Sequence, residues 1–71
     1  MVRWTDFLNK RIFLEVETSN GIRNYSGNVE EVTFMGKNTD GVETYIILIT
    51  DKFDKKVAII STQIKLIQEE K

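Results

Sequence analysis

Two stretches decide the fold: Thr44-Tyr45-Ile46-Ile47-Leu48-Ile49-Thr50 and Lys56-Val57-Ala58-Ile59-Ile60. Successive side chains of a strand point to opposite faces. Tyr45, Ile47 and Ile49 therefore share one face of the first stretch, and Ile46 and Leu48 share the other. Val57-Ala58-Ile59-Ile60 is apolar on both faces in the same way. A strand with two apolar faces is one that is covered on both. The segment between them, 51–55, is a short turn in which Lys52 and Lys55 alternate with Asp51 and Asp54. It reads as a solubilising hairpin tip, and two carboxylates alone make a poor cation site.

Upstream, Arg11 to Thr18 alternates: Ile12, Leu14 and Val16 on one face, Arg11, Phe13, Glu15 and Glu17 on the other. Ser19-Asn20-Gly21 follows, and Asn-Gly between strands is a strong hairpin signal because both residues accept positive φ. The next strand spans about 22–34. Tyr25, Gly27 and Val29 share a face, but Val32 and Phe34 fall on the opposite parity. A bulge or sharp bend is required between them, and Gly27 is a place for the chain to curl. The Gly- and Asn-containing segment Met35 to Glu43 reads as a loop. Strands at about 44–50, 56–60 and 64–68 complete the set, with Ser61-Thr62-Gln63 as a connector. In the last strand Ile64 and Leu66 share one parity and Ile67 the other.

The N-terminus, about 2–9, differs. Trp4, Phe7 and Leu8 fall at i, i+3 and i+4, the stripe of a short helix. An irregular arm with Trp4 plugging one end of the core fits the same residues.

The whole chain, 1–71, thus reads as one all-β domain. Val, Ile and Thr make up 22 of its 71 residues, and such residues suit a pleated surface. Short, bent antiparallel strands of this kind close into a small five-stranded SH3-like barrel with a short N-terminal helix. A barrel this small has one interior. The second apolar face, Ile46, Leu48, Ala58 and Ile60 with Ile67 of the last strand, needs other cover: the helix for part of it, a neighbouring subunit for the rest.

Composition narrows function. There is no Cys, no His and no Pro. A domain of this size is short of core, yet neither a disulfide nor an ordinary zinc site is available to staple it. Oligomerisation is the staple that remains. Without imidazole or thiolate, and with no nucleophile–base–orienter spacing, the chain does not read as an enzyme, and nothing in it calls for a cofactor or a metal. No apolar run approaches the roughly 18–20 residues of a membrane span. The expectation is a cytoplasmic protein without a membrane partner. Ten Lys+Arg against 11 Asp+Glu, net charge −1, argue against bulk coating of DNA.

The strand order, Ile12-Phe13-Leu14-Glu15-Val16 with Asn20-Gly21 and Tyr25-Ser26-Gly27-Asn28-Val29-Glu30-Glu31-Val32, and then Val57-Ala58-Ile59-Ile60, Ser61-Thr62-Gln63 and Ile64-Lys65-Leu66-Ile67, resembles the two motifs of the Sm/LSm family, which includes the archaeal Sm-like proteins and bacterial Hfq. The resemblance covers nearly the whole chain. It implies a ring of identical subunits, usually six or seven, in which the fourth strand of one subunit pairs with the fifth of the next. It also implies single-stranded RNA at pore-facing loops. Carried over, the contact positions are Phe34, Met35, Lys37 and Asn38 in one loop and Ser61, Thr62 and Gln63 in the other. The sequence departs from the family there: Thr33 stands where the family has Asp, and Ser61-Thr62-Gln63 lacks the family's Arg. An aromatic beside a cation, Phe34 with Lys37, supplies stacking, and Gln63 can read a base edge. Arg3, Lys10 and Arg11 form a modest basic cluster, either a solvated face or a second RNA surface. The alternative is an Sm-fold module that binds a protein partner and has lost RNA.

Overall fold

A computed structural model of the chain describes residues 3–70. Five strands form one antiparallel sheet: β1 (Arg11–Thr18), β2 (Gly21–Lys37), β3 (Glu43–Thr50), β4 (Lys56–Ile60) and β5 (Ile64–Glu69). The order across the sheet is β4-β3-β2-β1-β5. The ladders leave β4 and β5 as two free edges, so the sheet is not a closed cylinder. A 3-10 turn, Ser61–Gln63, links those edges.

The strands follow the alternation in the sequence. Ile12, Leu14 and Val16 of β1 are buried together with Val29, Ile47, Ile49 and Ile59. The parity conflict in β2 is resolved by a bulge. Val29 pairs with Ile49 and Glu31 with Leu48, which leaves Glu30 unpaired. One extra residue puts Val29 and Val32 on the same side. Gly27 also serves a close approach that the sequence does not reveal. A Cβ at this position would overlap the Thr50 carbonyl, so the glycine lets the bent strand pass β3 at close range.

β2 also runs further than the sequence suggested, through Lys37, and the loop shrinks to residues 38–42. A second bulge at Met35 carries the strand past the expected break: Phe34 pairs with Tyr45, Gly36 with Thr44 and Lys37 with Glu43. In the first hairpin Thr18 pairs with Gly21, and only Gly21 takes positive φ, at 107°. Asn20 does not need the left-handed conformation expected of it, because the turn residues are Ser19 and Asn20 rather than Asn20 and Gly21.

β5 carries the largest correction. Glu15 pairs with Leu66 and Val16 with Ile64, so Lys65 is bulged. Ile64 and Ile67 both pack against the core as a result. Ile67 therefore belongs with Leu14, its register partner, and Leu66 takes the outer face that Ile67 was expected to occupy.

The N-terminal segment is a single 3-10 turn, Trp4–Phe7, and not a helix over 2–9. Val2, the expected first residue, lies outside the described residues. In a 3-10 turn residues i and i+3 eclipse. Trp4 and Phe7 thus share the side that packs on the core, while Leu8, one step further, is 42% exposed. So short a segment has no helical stability of its own. It is tied down by Asn9 N–H donating to the Val29 carbonyl and Val29 N–H to the Lys10 carbonyl, both 2.9 Å. No helix among the described residues is long and apolar enough to cross a membrane.

Candidate nucleic-acid interface

The loop residues implied by the resemblance converge on one end of β3. The bulge at Met35 places Phe34 and Lys37 on the same face, opposite Tyr45 and Glu43. Phe34 meets Tyr45 edge to face, with ring centroids 5.4 Å apart and planes at 62°. This is a favoured aromatic geometry, and it leaves Phe34 55% exposed. Met35, the bulged residue, is exposed as well.

Tyr45 is the hub of the cluster. Its backbone N–H donates to Ser61 Oγ at 2.9 Å. That bond pins the 3-10 turn to the start of β3, so Phe34, Tyr45 and Ser61–Gln63 form one connected surface. It also gives Ser61 a structural partner within the fold. Ser61 is buried and its hydroxyl satisfies a strand-end amide. Thr62 and Gln63 stay exposed beside it. Asn38 has a scaffold role too: its Oδ1 accepts the N–H groups of Asp40 and Val42, each at 2.9 Å, and shapes the β2–β3 turn. Phe34, Met35, Lys37, Thr62 and Gln63 are the expected contact residues that keep free, exposed side chains.

Beside Lys37 and Arg3, which the sequence singles out, the structure sets Trp4, Val42, Glu43 and Tyr45, which the sequence gives to no site. A groove of about 610 Å³ lies between the N-terminal 3-10 turn and the β2–β3 turn, lined by Arg3, Trp4, Lys37, Val42, Glu43 and Tyr45. Two cations and two aromatics face one space. The Tyr45 hydroxyl donates to Glu43 Oε2 at 2.7 Å. This bond holds the Tyr45 phenol above its ordinary value, with desolvation and the carboxylate's charge adding in the same direction. The hydroxyl is thereby oriented. A sequence signal for Tyr45 existed: it is the one residue with a polar tip in the apolar run 45–49. Trp4 gave no such signal for the groove, because the residues across it, Lys37 to Tyr45, are more than 30 positions away.

The basic cluster at Arg3, Lys10 and Arg11 does not hold together. Lys10 pairs with Glu69 at 3.0 Å and Arg11 with Glu70 at 3.2 Å. Arg3 alone turns to the groove.

On the outer face the register aligns Ile46 with Ile60 and Leu48 with Ala58. Ala58 is exposed and Ile60 is 39% exposed. The N-terminal segment does not cover this face, since Trp4 and Phe7 pack on the core instead. No group of three or more His, Cys, Asp or Glu is placed to hold a metal among the described residues.

Comparison with known proteins gave no match: no family model fits the chain, and neither a curated protein nor a solved structure resembles it closely enough to count.

Proposed function

We propose that the chain is an Sm-like subunit, a strongly bent SH3-like barrel completed by its neighbours, which forms a homo-oligomeric ring and binds single-stranded RNA at one end of β3. The observation that carries the reading is the pair of free edges. β4 and β5 end the sheet, and one antiparallel register matches two pairs of their apolar side chains. Set antiparallel, with Ala58 of one copy opposite Leu66 of the next, Val57 falls opposite Ile67. Both pairs then match face for face: Val57 and Ile67 on the core side, Ala58 and Leu66 outside. The Lys55-Lys56 end of β4 meets the Gln68-Glu69 end of β5. Strand addition of this kind satisfies both exposed edges, and a heterologous contact repeated around a closed rotation makes a ring.

RNA binding rests on Phe34 and Lys37 beside the Trp4–Tyr45 groove, with Thr62 and Gln63 adjoining. Stacking on such an aromatic contributes roughly 1–3 kcal/mol per base. The chain's own lack of cysteine supplies a clean test of assembly. The double variant Ala58→Cys with Leu66→Cys, oxidised, should give a ladder of covalent multimers that ends at the ring. A protein that is monomeric by light scattering and forms no ladder refutes the ring. For the ligand, anisotropy titration with U-rich and A-rich oligonucleotides at fixed salt should show binding that Phe34→Ala with Lys37→Gln weakens. Binding that is absent at moderate salt, or indifferent to those changes, removes the site.

A second reading is favoured by a specific observation. Ser61 and Asn38, two of the positions the resemblance gives to RNA, serve the scaffold, and Thr33 replaces an Asp. An Sm-fold module that binds a protein partner accounts for this, and a pull-down that survives nuclease treatment would distinguish it.

A further inference from the structure

The opposite end of β3 carries a second cleft, unused by the reading above. The β3–β4 turn is held in one shape. Asp51 Oδ1 accepts the N–H groups of Phe53 at 2.8 Å and Lys55 at 2.9 Å. Asp51 N–H donates to the Lys55 carbonyl at 3.0 Å, and Asp54 N–H to the Asp51 carbonyl at 3.1 Å. This turn presents Phe53 at 78% exposure, the highest of the large apolar side chains among the described residues. Lys52 Nζ sits 5.2 Å from the centre of the Phe53 ring, within cation–π range.

Beneath the ring lies a cleft of about 390 Å³ between the turn and β2. Tyr25, Ile49 and Val57 line it with apolar groups and Asn24 with a free amide, while the Ser26 hydroxyl donates to Glu70 Oε1 at 2.7 Å. Lys52 and Lys55, which line it, make no ion pair among the described residues, while Arg11, a third cation on its lining, pairs with Glu70. Asp51, the one carboxylate that lines the cleft, has one oxygen committed to the turn itself, and the Glu70 carboxylate is taken up by Ser26 and Arg11.

An exposed aromatic on an ordered support, unpaired cations beside it and hydrogen-bonding groups in the adjoining cleft are the parts of a stacking platform for nucleotides. An apolar protein partner would match Phe53 but leave two lysines facing it without counter-charges. We propose that the cleft under the β3–β4 turn is a second contact site for single-stranded nucleic acid: a base stacks at Phe53, and Lys52 and Lys55 neutralise the neighbouring phosphates. The proposal shares its ligand class with the reading at Phe34 and Lys37 but rests on separate residues.

The test titrates U-rich and A-rich oligonucleotides into the full chain and three variants: Phe53→Ala, Lys52→Gln with Lys55→Gln, and Phe34→Ala with Lys37→Gln. Light scattering is run on each. Phe53→Ala should weaken binding at least about fivefold, the lower limit for loss of one stacked base. The double lysine variant should flatten the salt dependence by about 1.4, two phosphate contacts at roughly 0.7 each. Trp4, the only tryptophan, lines the other groove, so its emission change at saturation should persist in both. Parent-like affinity in Phe53→Ala, with weakening in the Phe34 variant, rejects the second site and leaves the first. The reverse pattern upholds the second site and rejects the first. A parent that binds no oligonucleotide rejects both. A changed oligomeric state in Phe53→Ala makes the turn a contact between copies and overturns the proposal.

Discussion

Replacing Gly27 by Ala adds one methyl group where the fold leaves no space. A Cβ at this position overlaps the carbonyl of Thr50 and presses on Asp51 Cα at 3.2 Å. All the obstructing atoms are backbone, so no side chain can rotate away. Gly27 pairs with Ile12 on β1, and its neighbour Asn28 pairs with Thr50 on β3, so relief requires the bend in β2 to open and both ladders to shift. Overpacking of this kind costs about 1–3 kcal/mol. Gly27 does not take positive φ, so Ala also restricts the unfolded chain, which offsets about 0.4–1 kcal/mol. The net expectation is a loss of about 1–2 kcal/mol. For a domain of this size each kcal/mol moves Tm by about 4–8 °C, so Tm should fall by about 4–16 °C. Circular dichroism melts at several protein concentrations measure this and separate a weakened fold from weakened assembly. A Tm equal to or above the parent's, with the parent's spectrum, would show that β2 does not pass β3 as closely as described.

Three further outcomes follow from individual contacts. Ser61→Ala leaves the Tyr45 N–H without its acceptor and should cost about 1–3 kcal/mol in urea titration, far more than an exposed serine. Glu43→Gln removes the carboxylate that holds the Tyr45 phenol up. In an absorbance titration of the two tyrosines one transition should move down in pH, and an unchanged profile would dissolve the Tyr45–Glu43 bond. Because the folded value is the raised one, any stability this bond adds is present below the unfolded value near 10 and is lost as pH rises through the folded one. Ile60→Asp should shift light scattering towards smaller species while the melt persists; unfolding without prior dissociation would place Ile60 in the core.

The sequence by itself determined the strands, their order in the chain and the need for a bulge in β2. These are local matters: period-two alternation, β-branched content and turn residues set them residue by residue. It also marked Ile46, Leu48, Ala58 and Ile60 as an apolar face apart from the core, since register keeps alternate residues together. Only the tertiary structure decided where each bulge falls. One extra residue reverses the parity of everything beyond it, and so Ile67 turned inward and Leu66 outward, and Lys37 joined Phe34 on one face. Only the tertiary structure, too, could bring Trp4 to Tyr45, or spend Ser61 on a strand-end amide. Those partners are far apart in sequence, and what a polar side chain has left to offer depends on which hydrogen bonds the fold has already claimed.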